Sequence, residues 1–186
     1  TGFIYYDLLE KLGVSSSTSP TGTGTTLAFD DAIDTRNQYY GWQFGGRSTW
    51  TRGRLSLTMT SSIALGLTHA VVDRFGSSTL TAPGVGTVAM PGGFLVQSSN
   101  AGRITTDRFA VALPSRLMVG YQVTDHMTAF VGYDFVYFTG VARPGDQVDL
   151  VFQTNPATGT PIRPAGGMHV DDFWANSGLV GLAFKF

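Results

Sequence analysis

His169, Asp171 and Asp172, in the run MHVDD, bring an imidazole and two carboxylates close together, and Asp146 and Asp149 of the upstream run RPGDQVD could join them. Carboxylate oxygens gathered this way suit a hard divalent cation such as calcium. No recognised cation-loop spacing joins these residues, however, and solvated acids at the entrance to a strand are the ordinary reading. Neither a metal nor a cofactor is therefore expected. Nucleophilic catalysis asks for a serine or cysteine beside a histidine that a third group orients. The chain has three histidines and no cysteine. His69 and His126 fall at opposite ends of the strands derived below, His169 has no recognisable nucleophile, and no Gly-x-Ser-x-Gly elbow occurs. No catalytic residue is assigned, and an enzyme is not expected.

The remaining candidates are charges. Arg47, Arg54, Arg108, Arg116, Asp134 and Lys185 fall on the polar side of alternating segments. Two uses are open: a lined channel that selects solutes by charge, or ion pairs that fill a narrow interior. The elements that carry these residues decide where they point. In residues 53 to 71, Leu55, Leu57, Met59, Ile63, Leu65 and Leu67 alternate with Arg54, Ser56, Thr58, Thr60, Ser62 and Thr68. Such a period of two is a strand with one apolar face. It runs longer than the usual five or six residues and reaches the roughly 9 to 11 that cross a bilayer as a tilted strand.

The same pattern recurs at 36–50, 105–122, 127–139 and 171–186, with a partial strand near Phe3 and Tyr5, giving six strands. Pro114 cannot donate to a ladder, so a bulge or unpaired position is expected inside the fourth. Short turns join strands two to three and four to five, whereas long Gly-, Ser-, Thr- and Pro-rich segments at 13–34, 76–104 and 140–170 read as loops. Short turns opposite long loops are the topology of an up-and-down transmembrane β-barrel, short turns on the periplasmic side. If the barrel exists, the six charges must face inward, since Arg or Lys at mid-membrane on the lipid face costs about 2–4 kcal/mol.

Aromatics should then form belts at the two interfaces. Tyr40, Phe109, Phe135, Tyr137 and Trp174 fall toward the loop ends, and Trp50, Tyr121, Phe184 and Phe186 toward the turns; Trp42 is a further belt residue. Gly181, Phe184 and Phe186 match the glycine-then-aromatics pattern with which outer-membrane barrels address their insertion machinery, although Leu179 stands where a polar residue is expected. In the loop motif, Pro144-Gly145 reads as a turn that Arg143 could fix by pairing with Asp146 or Asp149.

Composition agrees. Only 13% of the residues are charged, half the share in a typical soluble domain, while 42% are hydrophobic and 12% aromatic. No run is long enough for a transmembrane helix. A net charge of −1 gives no basic face for nucleic acid.

The segments GFIYYDLLEKL (2–12), TRNQYYGWQFGGR (35–47), LSLTMTSSIALGLTH (55–69), DRFAVALP (107–114), VGYDFVYFTGVARPGDQVD (131–149) and the closing DFW with GLAFKF resemble the BBP7-type outer-membrane β-barrel porin family of planctomycetes. Ile4 stands where that family usually has Arg. The resemblance implies further strands before Gly2, so residues 1–186 are expected to be the C-terminal part of a single barrel domain of 8 to 12 strands. The expected function is passive solute passage or envelope integrity in the bacterial outer membrane. Expected partners are outer-membrane lipid, the barrel-assembly machinery and small solutes. A surface binding or adhesion barrel acting through its loops is the alternative, and a soluble β-sandwich or lipocalin-like carrier the third.

Overall fold

The computed structural model of the chain describes residues 1–151 and 163–185. It is one antiparallel sheet of eight strands: β1 (Gly2–Thr18), β2 (Thr26–Arg52), β3 (Leu55–Ala82), β4 (Gly86–Pro91), β5 (Gly102–Ala112), β6 (Ser115–Thr124), β7 (Met127–Val141) and β8 (Asp171–Phe184). β5 and β6 are two halves of a single crossing. Both pair with β3, β5 along residues 64–74 and β6 along 55–61. The break between them falls at Leu113-Pro114, as the missing donor of proline requires. The Pro114 carbonyl accepts from Ser62 N at 3.1 Å instead. The meander therefore has six crossings and one side hairpin, β3–β4.

The expected loops are shorter than the sequence suggested, because the ladders continue into them. Between β1 and β2 only residues 19–25 lie outside strands, and in 76–104 the strand β3 persists to Ala82 and returns as β4. Ser and Thr there serve as cross-strand partners, not as loop formers. Ser15 donates to Asp30 at 2.6 Å, and the Thr81 and Thr87 hydroxyls are 2.8 Å apart. Thr is a good strand residue, and an antiparallel hairpin keeps pairing until a turn stops it. The third segment, 140–170, is irregular apart from a 3₁₀ turn at Gly145–Gln147, and its residues 152–162 lie outside the described part.

Register gives every strand two faces. The row Phe3, Trp42, Leu65, Val111 lies on one face, and Gly2, Gln43, Ala64, Ala112, Phe138, Phe173 on the other. On β3 the outward residues from Leu55 to Leu67 form an apolar band broken only by Ser61. Twelve residue steps of about 3.3 Å, tilted by about 45°, give a height near 28 Å, the thickness of a hydrocarbon core. Above the band the outward face turns polar. Arg36 pairs with Asp7 at 2.6 Å, Lys11 with Asp34 at 2.8 Å, His69 with Asp107 at 2.6 Å and Arg103 with Asp73 at 2.7 Å. The edges of the sheet are β1 and β8, and no pairing joins them among the described residues. β1 covers only residues 27–43 of β2.

Candidate functional site

All the described aromatic residues assigned to belts stand on the outward face. Tyr40 packs on Tyr5 with ring centroids 5.0 Å apart, and Trp42 on Phe3 at 6.2 Å. The Tyr5 hydroxyl donates to Asp7 and accepts from Gln38, so these rings sit where the apolar band meets the polar ladder. Tyr137 donates its hydroxyl proton to Asp172, which ties the β7–β8 end into the same boundary. At the other end Trp50 and Tyr121 are half-exposed on that face, as is Phe184. Phe109 and Trp174 are more exposed still, while Phe135 and Tyr137 are partly covered. Gly181 points inward, where a Cβ would stand 2.6 Å from the Phe130 ring, so glycine makes room for that side chain. Phe186 lies outside the described residues.

The interior holds what the alternation concealed. Tyr6 of β1, Tyr39 of β2, Phe138 of β7 and Phe173 of β8 occupy inward positions, and their rings meet across the sheet's concave side. Tyr6 and Phe138 pack edge to face at 4.7 Å, Tyr39 and Phe138 at 5.9 Å, and Phe138 and Phe173 tilted at 6.4 Å. Ala64, Ala110 and Ala112 of the intervening strands β3 and β5, all buried, belong to the same cluster. Large rings from four strands pack over small alanines on the two strands between them. A layer of aromatic side chains thus crosses the lumen.

Above that layer the loops fold inward. The buried Asp31 carboxylate accepts from the backbone N–H groups of Phe94, Leu95 and Val96 at 2.7, 2.9 and 2.9 Å, drawing the segment after β4 onto the inner face. Gly93 lets the chain approach, since a methyl group there would collide with the carboxylate. Leu95 and Val96 then pack on Ile33, Ala70, Val72 and Ala142. The loop after β7 is held by two amide side chains. Asn37 exchanges a pair of hydrogen bonds with the Ala142 backbone, both 2.8 Å. Gln147, buried, accepts from Arg74 at 3.0 Å and donates to the Arg143 and His169 carbonyls at 3.0 and 2.7 Å.

The loop motif is therefore structural, but its pairing differs from the expected one. Arg143 reaches neither Asp146 nor Asp149. It forms a fork with Glu10 of β1 at 2.8 Å and lies 5.3 Å from the Phe173 ring centre, bridging the two edge strands. The Glu10 carboxylate raises the Arg143 guanidinium above its ordinary range. Pro144 and Gly145 open the 3₁₀ turn that delivers Gln147 inward. Asp149 pairs with Arg163 at 2.8 Å and accepts from Ala165 and Val151 N–H. Those bonds, Arg163 first, pull its carboxyl down to about 2. With Asp149 and Asp172 so engaged, no group of three or more metal-ligating side chains exists among the described residues.

The six charged candidates divide by position. Arg116 and Asp134 form an inward fork, 2.5 and 2.7 Å. Arg47 shares their row through Thr60 but makes no ion pair or hydrogen bond among the described residues. Arg108 faces inward higher up, beside Gly140. Arg54 was expected to face the lumen and does not sit on a strand at all. With Gly53 it forms the β2–β3 turn, because a two-residue connection spends the position on reversing the chain. Lys185 follows the end of β8, at the rim, where its N–H donates to the His126 carbonyl at 2.9 Å. Below the aromatic layer these walls surround a cavity of about 850 Å³ lined by Ile4, Tyr6, Gln43, Arg47, Thr60, Ser62 and the Arg116–Asp134 pair, among others.

An antiparallel meander with an outward apolar band, aromatic boundaries and charged and hydroxyl-bearing side chains facing inward at its turn end defines the wall of a porin-type β-barrel. The family model described as Putative beta barrel porin-7 (BBP7) matches residues 1–186, the whole chain, and the chain belongs to that family. A porin family implies a membrane location. No curated protein and no solved structure matches the chain.

Proposed function

We propose that this chain forms the wall of a bacterial outer-membrane β-barrel that is held shut by a layer of rings and the loops folded in above it, and that small solutes pass only when both are displaced. The observation that carries the reading is the ring layer of Tyr6, Tyr39, Phe138 and Phe173, continuous with the loop anchors at Asp31, Asn37 and Gln147. An open porin needs an aqueous path, and a lumen filled by side chains offers none. Orientation follows from the turns: the short connections at 53–54 and 125–126 face the periplasm and the long ones the exterior. Outer-membrane lipid covers the apolar band, and the barrel-assembly machinery is the partner that reads the closing strand.

Planar-bilayer recording tests this. The native protein should show no steady ohmic steps, and a variant that lacks residues 92–101 and carries Tyr6→Ala, Tyr39→Ala and Phe138→Ala should show them. Large steady steps from the native protein would overturn the closed state, and silence from both would remove solute passage and leave a structural barrel.

A second reading, surface binding, has one specific support: β2 and β3 continue far beyond the apolar band, and with β4 they raise an exterior sheet bearing the exposed Val85, Val88 and Met90. Deleting 83–91 should abolish binding to a cell or matrix surface while the barrel still folds. Unchanged binding would discard this reading.

A further inference from the structure

We propose that the cavity at the turn end is a binding site for a small oxyanion, a carboxylate or phosphate, centred on Arg47. The site does not depend on whether the lumen ever opens, because the cavity lies wholly on the turn side of the aromatic layer.

Three observations converge. The cavity holds about 850 Å³, within the range of small-molecule sites, and Tyr6 of the aromatic layer is among its lining residues. Of the two guanidinium groups on its wall, Arg116 is neutralised by a bidentate carboxylate, whereas Arg47 has no partner among the described residues. Among the side chains that line the cavity the net charge is therefore one positive, located at Arg47. Hydroxyl and amide groups stand around it: Thr60 directly across in the register, Ser62 two residues along, and Gln43 on the same strand. Gly45 precedes Arg47 on the same face of β2, so no side chain crowds the guanidinium from that direction.

The chemistry selects the ligand. A guanidinium presents parallel N–H donors that match two oxygens of a carboxylate or phosphate, and hydroxyls can donate to the remaining oxygens. The apolar Ile4 and the Tyr6 ring, also on the lining, offer apolar surface for a short carbon skeleton attached to the anionic group. A cation has only Asp134 to meet, and that carboxylate is already committed to Arg116. Asp134 also sets a limit on affinity, since its charge opposes a second anion.

Isothermal titration calorimetry on the folded, full-length protein in detergent, with inorganic phosphate and with succinate as probes, tests the assignment. Saturable binding of at least one probe is expected, and which one binds separates phosphate from carboxylate. Arg47→Gln should weaken it at least tenfold, Arg47→Lys less, because the charge remains and the fork is lost. Asp134→Asn should tighten it, and Arg108→Gln, outside the cavity, should change it less than twofold. Heat-modifiable migration establishes that each variant is folded, and should Arg47→Gln fail there, the Arg47→Lys and Asp134→Asn affinities decide. No saturable binding of either probe, or affinities unmoved by the Arg47 and Asp134 variants, would overturn the proposal.

Discussion

Replacing Asp31 by Asn is the sharpest perturbation of the plug, because it changes almost no volume and removes one charge. In the native site Oδ2 accepts from Phe94 and Leu95 and Oδ1 from Val96. Asn keeps a single acceptor oxygen. At best it retains the first two bonds and turns its NH₂ toward the Val96 N–H, leaving donor against donor in a buried position. Hydrogen bonds to a charged group contribute about 1.5–3 kcal/mol each, and an unsatisfied buried N–H costs about 1–3 kcal/mol. Allowing for relaxation, loop anchorage should fall by about 2–4 kcal/mol. At a factor of ten per 1.4 kcal/mol, local opening then becomes about 30 to 1,000 times more frequent. Hydrogen exchange followed by mass spectrometry reads this directly. Peptides covering 93–97 should exchange faster by that factor, while peptides from β3 within the apolar band stay protected. Native-like protection of 93–97 in the variant would refute the claim that this carboxylate holds the loop inside.

Asn37→Ala should release the loop after β7 by about 1–3 kcal/mol, seen as new proteolytic cleavage between residues 142 and 151 in folded protein. Leu65→Arg, on the outward band, should cost about 2–4 kcal/mol of folding stability in lipid, measured by urea titration in vesicles; an effect below 1 kcal/mol would place that face away from the hydrocarbon. The Asp149 carboxyl titrates near 2 in the folded loop, below its ordinary 3.8. Its stabilisation is therefore complete above about pH 4 and is lost as the pH falls from there toward 2. Exchange at 163–166 should accelerate over that window in native protein and not in Asp149→Asn. Gly181→Val should hinder folding, since its side chain would meet the Phe130 ring, whereas Gly178→Ala, with open space around its Cβ position, should fold normally in a heat-modifiability assay.

The outward half of the fold was legible because one uniform demand, an apolar side chain at every second position, runs along it. Leu55 to Leu67, the belts at Tyr40, Trp50 and Tyr121, and the break at Pro114 all follow from alternation and one missing donor. The interior obeys no such uniform rule. Tyr6, Tyr39, Phe138 and Phe173 sit on the face read as polar, and a period of two cannot say that rings from four strands converge. A signal existed: Ala64, Ala110 and Ala112 stand on the same inward face of the intervening strands, small residues that leave room for large rings nearby. Gln147 was passed over beside its charged neighbours in RPGDQVD, and Arg143 was assigned a local partner when its carboxylate lies on β1. Contacts between residues more than a hundred apart leave no local trace. Arg54 failed for a simpler reason, since alternation continued by one residue into a turn gives a face to a position that has none.

The central claim is that the lumen is dry and blocked above the Tyr6–Phe138 layer and wet below it. This chain contains no cysteine, so single substitutions report unambiguously. Ala110→Cys lies against the aromatic layer, buried, and Thr60→Cys lines the turn-end cavity. Labelling of folded protein in vesicles with a water-soluble, membrane-impermeant thiol reagent should modify Thr60→Cys readily and leave Ala110→Cys almost untouched from either side. Equal labelling of both positions would contradict the account.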